Sequence, residues 1–300
     1  MAVCVFDLDN TLGDFRIVDF FGLLLEPKVI PNFFGYDKSK REDFFNIING
    51  YSKKEKDLLK SLRDKLEKEI ENDTKNDKIL RPNLKEILSP LVEQYKKHKI
   101  KGFIIYSNNA NLYSLEYAGR AIEHMFQTPN LFIKYLDRNH EERTKDRIDH
   151  SGYPSKMVNT IRQYTNNKSP ILFVDDLVHN DFYIDYENTT YIMIPPYVSD
   201  ADILYNQIII ATFEDLLDEL TETEKTDFFN LYHIKEILKI DNFNTLEEHY
   251  LFYSKPKKEN TKFIENMPMI QENIQNFIKK VLSNGGSRKR QTKRRRNIKK

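Results

Sequence analysis

Cysteine occurs once in this chain, at Cys4, and residues 285–300 contain no acid. No apolar run reaches the ~18 residues that a helical bilayer crossing needs. The lone cysteine excludes an internal disulfide and fits a reducing compartment. Its place in an apolar strand makes it an inert core residue. No signal-peptide pattern precedes the first apolar segment. The expectation is therefore an intracellular protein, cytoplasmic or nuclear, with no membrane partner. The seven histidines show no ligand spacing, which disfavours a histidine-based metal site. No kinase-type phosphate loop is present.

The 300 residues suit one large domain or two small ones, and 39% apolar with 31% charged residues reads as soluble and globular. Charge is unevenly distributed. Residues 285–300, "GGSRKRQTKRRRNIKK", hold nine of the 47 Lys and Arg, leaving 38 against 46 acids, a formal net of −8, in the rest. An acidic body thus carries a basic tail.

The chain opens on "VCVFDLDNTLGDF" at 3–15. Residues 2–6 read as a buried strand that runs into Asp7 and Asp9. Residues 13–35, broken by Gly22, Pro27, Pro31 and Gly35, suit loops or a hairpin over a site. Residues 38–76 read as a charged helical hairpin. Residues 80–110 read as a helix, kinked at Pro90, and then a strand led in by Gly102. A helix follows at about 111–126, then a polar loop at 137–152. Ser155 is placed to cap a helix that starts at Lys156 and runs to about Tyr164. "ILFVDD" at 171–176 and "TYIMI" at 190–194 read as buried strands, and Thr212 starts a helix to residue 220. Continuous apolar strands alternating with helices predict an α/β fold, a parallel sheet covered on both faces. Ligands of such sheets bind at the strands' carboxyl ends, where Asp7, Asp9, Ser107, Asn108, Asp175 and Asp176 all fall.

Asp7, Asp9, Asp175 and Asp176 cannot all be ionised close together without a counter-charge. A hard divalent cation supplies one, and magnesium accepts carboxylates, waters and phosphate oxygens as ligands. Asp181 is either a further contact or a loop residue. An aspartate can also attack phosphorus, and Lys156 can supply a fixed positive charge. Each residue has a plainer reading. Asp7 to Thr11 and the Ser107-Asn108-Asn109 run could cap helices, and Lys156 could face solvent.

"FDLDNTL", "IIYSNNA", Lys156 and "ILFVDD" resemble, in order, the four motifs of the haloacid dehalogenase (HAD) superfamily. The resemblance covers residues 1 to about 221 and implies a Rossmann-like HAD fold with a small helical insert at 38–76. It implies that Asp7 is a nucleophile that becomes an aspartyl phosphate and that Asp9 is the general acid and base. Thr11 would support the Asp loop, Ser107 would bond the phosphoryl group, and Lys156 would steady both. Magnesium would lie on Asp7, the Asp9 carbonyl and Asp176, assisted by Asp175 or Asp181. An acid at position 9 favours a phosphatase over a dehalogenase.

A weaker likeness, carried by "LRPNLKEIL", "YAGRAIEHM" and the paired aspartates, is to the CTD-phosphatase and NLI-interacting-factor branch, which acts on phosphoproteins. Asn10 and Ser107 depart from its usual Glu and Thr. The insert instead falls where other branches place a cap, which favours small phosphorylated substrates. Residues 222–282 read as a helical extension and 283–300 as a disordered basic tail. That tail is a solvated end, a nuclear-import signal or a contact for nucleic acid. The alternatives to a phosphomonoester hydrolase are a polynucleotide end phosphatase and a catalytically idle HAD-like binding module. Abundant Asn, Ile, Lys, Tyr and Phe, with the tail, resemble the composition of large DNA virus proteins.

Overall fold

The computed structural model describes residues 1–15, 18, 53, 57, 79–143, 146, 155–166, 168–179, 188–197 and 266–283. The chain divides into two compact units, residues 1–14, 80–197 and 258–300 in one, and 15–79 and 198–257 in the other. Apart from residues 53, 57 and 283, the charged hairpin expected at 38–76, the helix at 212–220, Asp181 and the tail expected at 283–300 lie outside the described residues.

Within the first unit, five strands form one sheet: β1 (Ala2–Phe6), β2 (Ile100–Tyr106), β3 (Phe132–Leu136), β4 (Ile171–Asp175) and β5 (Thr189–Met193). Their order is β3-β2-β1-β4-β5. Every neighbouring pair is parallel. This is an α/β architecture compatible with a Rossmann-like fold. The chain steps from β1 outward to β2 and β3, then returns to the other side of β1 for β4. The reversal creates a switch point between β1 and β4, the position at which open parallel sheets bind ligands.

Helices α1 (Leu84–Lys96) and α2 (Leu112–Met125) pack on β2 and β3 respectively. α1 continues through Pro90. Helix α3 (Val158–Arg162) precedes β4. It is shorter than expected and begins two residues after Lys156. Met157, not Ser155, occupies its N-cap position, and no side chain caps it.

Both sheet faces are apolar, as parallel strands require. Val3, Val5, Ile104, Tyr106, Ile171 and Phe173 form one core with Val158 and Ile161 of α3. Phe6, Phe103 and Phe132 form an aromatic row, with ring centroids 5.3 and 5.7 Å apart. Gly102 is required by close approach. A Cβ there would lie 2.4 Å from Ile133 Cγ2 and 3.1 Å from the Leu131 carbonyl.

β3 is an addition to the sequence expectation, which left 127–136 unassigned. It is a short edge strand with half-buried Ile133, Lys134 and Tyr135, so it lacks the continuous apolar signal of β1 and β4. The polar loop at 137–152 contains a 3-10 turn, Glu141–Arg143, whose Arg143 is buried. Helix α4 (266–283) falls in the extension expected at 222–282 and runs one residue past its end. It buries Met267, Ile270, Ile274, Phe277, Ile278 and Val281, one helical stripe.

Ile104 is fully buried at the centre of the sheet. Ile104→Ala should cost about 2–5 kcal/mol of stability, the usual penalty for an unfilled core cavity. The denaturant midpoint, at unchanged slope, measures it.

Candidate metal and phosphate site

β1 and β4 pair in register with Phe6 opposite Val174, so Asp7 comes level with Asp175. The Asp7 amide donates to the Val174 carbonyl at 3.0 Å, holding the two strand ends together. One oxygen from each of Asp7, Asp175 and Asp176 lies within 4.8 Å of the others. Asp7 and Asp175 are buried and Asp176 is half-buried.

Lys156 enters this cluster from the segment before α3, with its side chain buried. Its Nζ lies 2.6 Å from Asp7 Oδ1 and 2.6 Å from Asp175 Oδ2. It donates a hydrogen bond to Asp175 and forms an ion pair with Asp7. His179 Nε2 stands 3.2 Å from the same oxygen, Asp175 Oδ2. The Leu177 amide also donates to Asp175 Oδ1 at 2.8 Å.

Burial and the Asp175 charge outweigh Lys156 and push the Asp7 carboxyl up. Asp175 is also penalised by burial, but Lys156 and His179 hold it below the usual carboxylate range. Burial alone would lower Lys156, yet Asp175 and Asp7 hold it above its ordinary value, so it stays an ammonium. Asp176 is pushed up to about 7, first by burial and then by the neighbouring Asp7 and Asp175. Three carboxylates therefore share too little positive charge. That shortage fits a cation, and the cluster could hold a metal ion.

The loop after β1 is tightly wound. Asn10 sits at φ 57°, a left-handed conformation that asparagine bears at lower cost than most residues. Its amide donates to the Gly13 carbonyl at 2.9 Å, and Leu12 N donates to the Leu8 carbonyl at 2.9 Å. Thr11 Oγ1 donates to Asp176 Oδ1 and accepts from the Asp176 amide, both at 3.0 Å. Thr11 thus ties the β1 loop to the β4 loop. Asp9 lies apart from the three clustered carboxylates, and its own accepts from Asn109 Nδ2 at 3.1 Å. Ser107 is one residue beyond β2, whose Ile105 pairs with Phe6, so it ends beside the Asp7 loop. Its Oγ accepts from the Asn109 amide at 3.0 Å.

The structure thus brings Asp7, Thr11, Lys156, Asp175 and Asp176 together and sets Asp9 and Ser107 on the β2 side. Neither Asn108 nor Asn109 is the N-cap of α2. Asn111 is, its Oδ1 accepting from Tyr113 N at 3.2 Å.

Sequence reasoning missed Arg81. This residue is fully buried beneath the Asp loop. It donates Nε to the Thr11 carbonyl at 2.8 Å and Nη2 to the Pro195 carbonyl at 2.7 Å, with a further bond from Nη2 to the Asn10 carbonyl. Burial lowers its pKa to about 10 against the pull of Asp176, so it remains charged at neutral pH. Its only local signal was an arginine before Pro82; its partners lie far away in sequence. His179 was likewise missed, because a lone histidine has no ligand spacing to display.

Comparison with protein-family models, curated proteins and solved structures finds no match for this chain.

A metal must displace the proton that Asp176 carries below about pH 7. Divalent-metal affinity should therefore fall as pH drops below that value, by about tenfold per pH unit for one displaced proton. Above it the Asp176 contribution should level off. Calorimetric titration with the metal alone, repeated across pH, measures this. Asp176→Asn should bind more weakly and lose that component of the slope.

Proposed function

We propose that this chain is a magnesium-dependent phosphatase that hydrolyses a phosphomonoester through an aspartyl phosphate on Asp7. The observation that carries the reading is the meeting of Asp7, Asp175 and Asp176 around Lys156 at the β1/β4 switch point. The four-motif resemblance to HAD hydrolases supports it.

Asp7, Asp175 and Asp176 would hold the ion, with the Asp9 carbonyl as a further ligand. Bound magnesium would offset the negative charge of carboxylates and phosphate. Asp7 attacks phosphorus while the bond to the leaving oxygen breaks. Asp9, oriented by Asn109, gives that oxygen its proton. Asp9 then takes a proton from water, the water oxygen attacks phosphorus, and phosphate leaves with Asp7 restored. Lys156 and Ser107 bind the transferring group throughout, and Thr11 keeps Asp176 in place. The substrate is a phosphorylated small molecule or a phosphoprotein.

Asp7→Asn should abolish turnover of 4-nitrophenyl phosphate, because an amide is a poor nucleophile and a poor ligand. Asp9→Asn should slow it by roughly two to four orders of magnitude, the usual worth of general acid–base catalysis. EDTA should stop the reaction and magnesium restore it, whereas calcium should bind without supporting turnover. Steady-state assays check each outcome. Asp7→Asn within a few fold of the parent, or full activity after exhaustive chelation, removes the mechanism.

The basic tail supports a second reading, a phosphatase acting on polynucleotide ends. Its nine cations attract phosphates that an acidic body repels. Deleting 285–300 should leave aryl phosphate hydrolysis unchanged. It should weaken binding to an oligonucleotide and flatten the salt dependence of that binding. A filter-binding salt series compares the two proteins. Undiminished binding by the truncated chain would clear the tail of this role.

A further inference from the structure

A second buried polar network lies beside the site, on its β2 side, and none of the chemistry above uses it. Arg143 is 3% exposed and Asp146 is 7% exposed, and their side chains pair at 2.8 Å. The Arg143 fork spends all three nitrogens. Nε donates to Asp146 Oδ2 at 2.8 Å, and Nη2 donates to Asn108 Oδ1 at 2.7 Å. Nη1 donates to the Asp137 carbonyl at 3.1 Å and also to the Ser107 carbonyl. The guanidinium therefore binds the turns that leave β2 and β3, including the residue that bears the Ser107 hydroxyl.

Asp146 carries the connection onward. Its Oδ2 also accepts from the Tyr106 hydroxyl at 2.7 Å, and its Oδ1 accepts from Thr160 Oγ1 of α3 at 2.6 Å. The Tyr106 oxygen in turn accepts from the Met157 amide at 2.9 Å. Met157 follows Lys156 directly. The Arg143 guanidinium also lies 4.6 Å from the centroid of the Tyr106 ring. One contiguous set of bonds thus runs from the Ser107 carbonyl to the backbone beside Lys156. Burying an ion pair seldom stabilises a fold more than an apolar substitute would, whereas a planar fork fixes several partners in one geometry.

We propose that Arg143 is a positioning residue, which through Asp146 and Tyr106 sets the Ser107 turn and the Lys156 segment in register with each other. The inference rests on the phosphatase reading, in which Ser107 and Lys156 grip the transferring phosphoryl group. The ion-binding carboxylates come from β1 and β4 and meet this network only through Lys156. Damage to it should therefore affect turnover and phosphate binding more than metal binding.

The test uses the full-length chain with Tyr106→Phe and Arg143→Lys. Tyr106→Phe deletes one buried hydroxyl and keeps the ring, so it carries the test if Arg143→Lys fails to fold. With 4-nitrophenyl phosphate at saturating magnesium, Tyr106→Phe should lower kcat about 5- to 50-fold. Inhibition by inorganic phosphate should weaken, and magnesium affinity, titrated with the metal alone, should fall by a clearly smaller factor than kcat. Ser107→Ala should also cost less in the Tyr106→Phe background than in the parent, because the hydroxyl is already misplaced. A merely structural network would give additive losses. Parental kcat in folded Tyr106→Phe, strict additivity with Ser107→Ala, or an equal loss of magnesium affinity overturns the inference. No turnover of any phosphomonoester by the wild-type chain overturns the reaction itself, and this inference with it.

Discussion

The ammonium of Lys156, held 2.6 Å from both Asp7 and Asp175, is the interaction on which the rest of the site depends. Two carboxylates at adjacent strand ends would repel each other in a buried setting, and an unpaired buried charge costs several kcal/mol. A single lysine offsets part of that repulsion and leaves a net negative cluster once Asp176 joins. The same arrangement explains both the uneven protonation and the capacity for a cation. Asp175 holds its charge because Lys156 and His179 face it, while Asp176 takes up a proton near neutrality.

Around this pair, the backbone is held from several directions. Arg81 satisfies carbonyls of the β1 loop and of the segment after β5 from below. Thr11 bridges the β1 and β4 loops. Ile194 donates to the Asp175 carbonyl at 2.9 Å and Tyr197 to the Asn10 carbonyl at 2.9 Å, so the chain after β5 closes over the same two loops. Each loop therefore has some of its polar backbone groups answered by a residue distant in sequence. A site that must place charged groups accurately needs such support.

Arg81 and Arg143 act differently. Arg81 sits beneath the acidic loops with its charge toward Asp176. Arg143 has its own carboxylate in Asp146 and organises the β2 and β3 ends. Arg81 holds the loop after β1 to the segment after β5, and Arg143 joins the turns after β2 and β3 to the segment that carries Lys156.

The α/β class, four of the five strands and the position of the aspartates at strand ends were legible in the chain itself. Long apolar runs that stop at a carboxylate have one good solution, a buried parallel strand that opens onto a crevice. Strand β3 was not legible, because a short edge strand with Lys134 at its centre carries a weak apolar signal. The helix cap was misplaced because Ser155 is a sound local candidate that the tertiary structure does not use. Arg81, Asn109, Arg143, Asp146 and His179 gained their roles only on folding. Their partners are backbone carbonyls and side chains brought near by the sheet order, and a lone Arg, Asn or His carries no mark of the distant group it will meet. The residue types and their order along the chain set which strands end in acid. The pairing of β1 with β4 decided which acids share one lysine, since Coulombic and hydrogen-bond energies depend on separations that only the packed sheet defines.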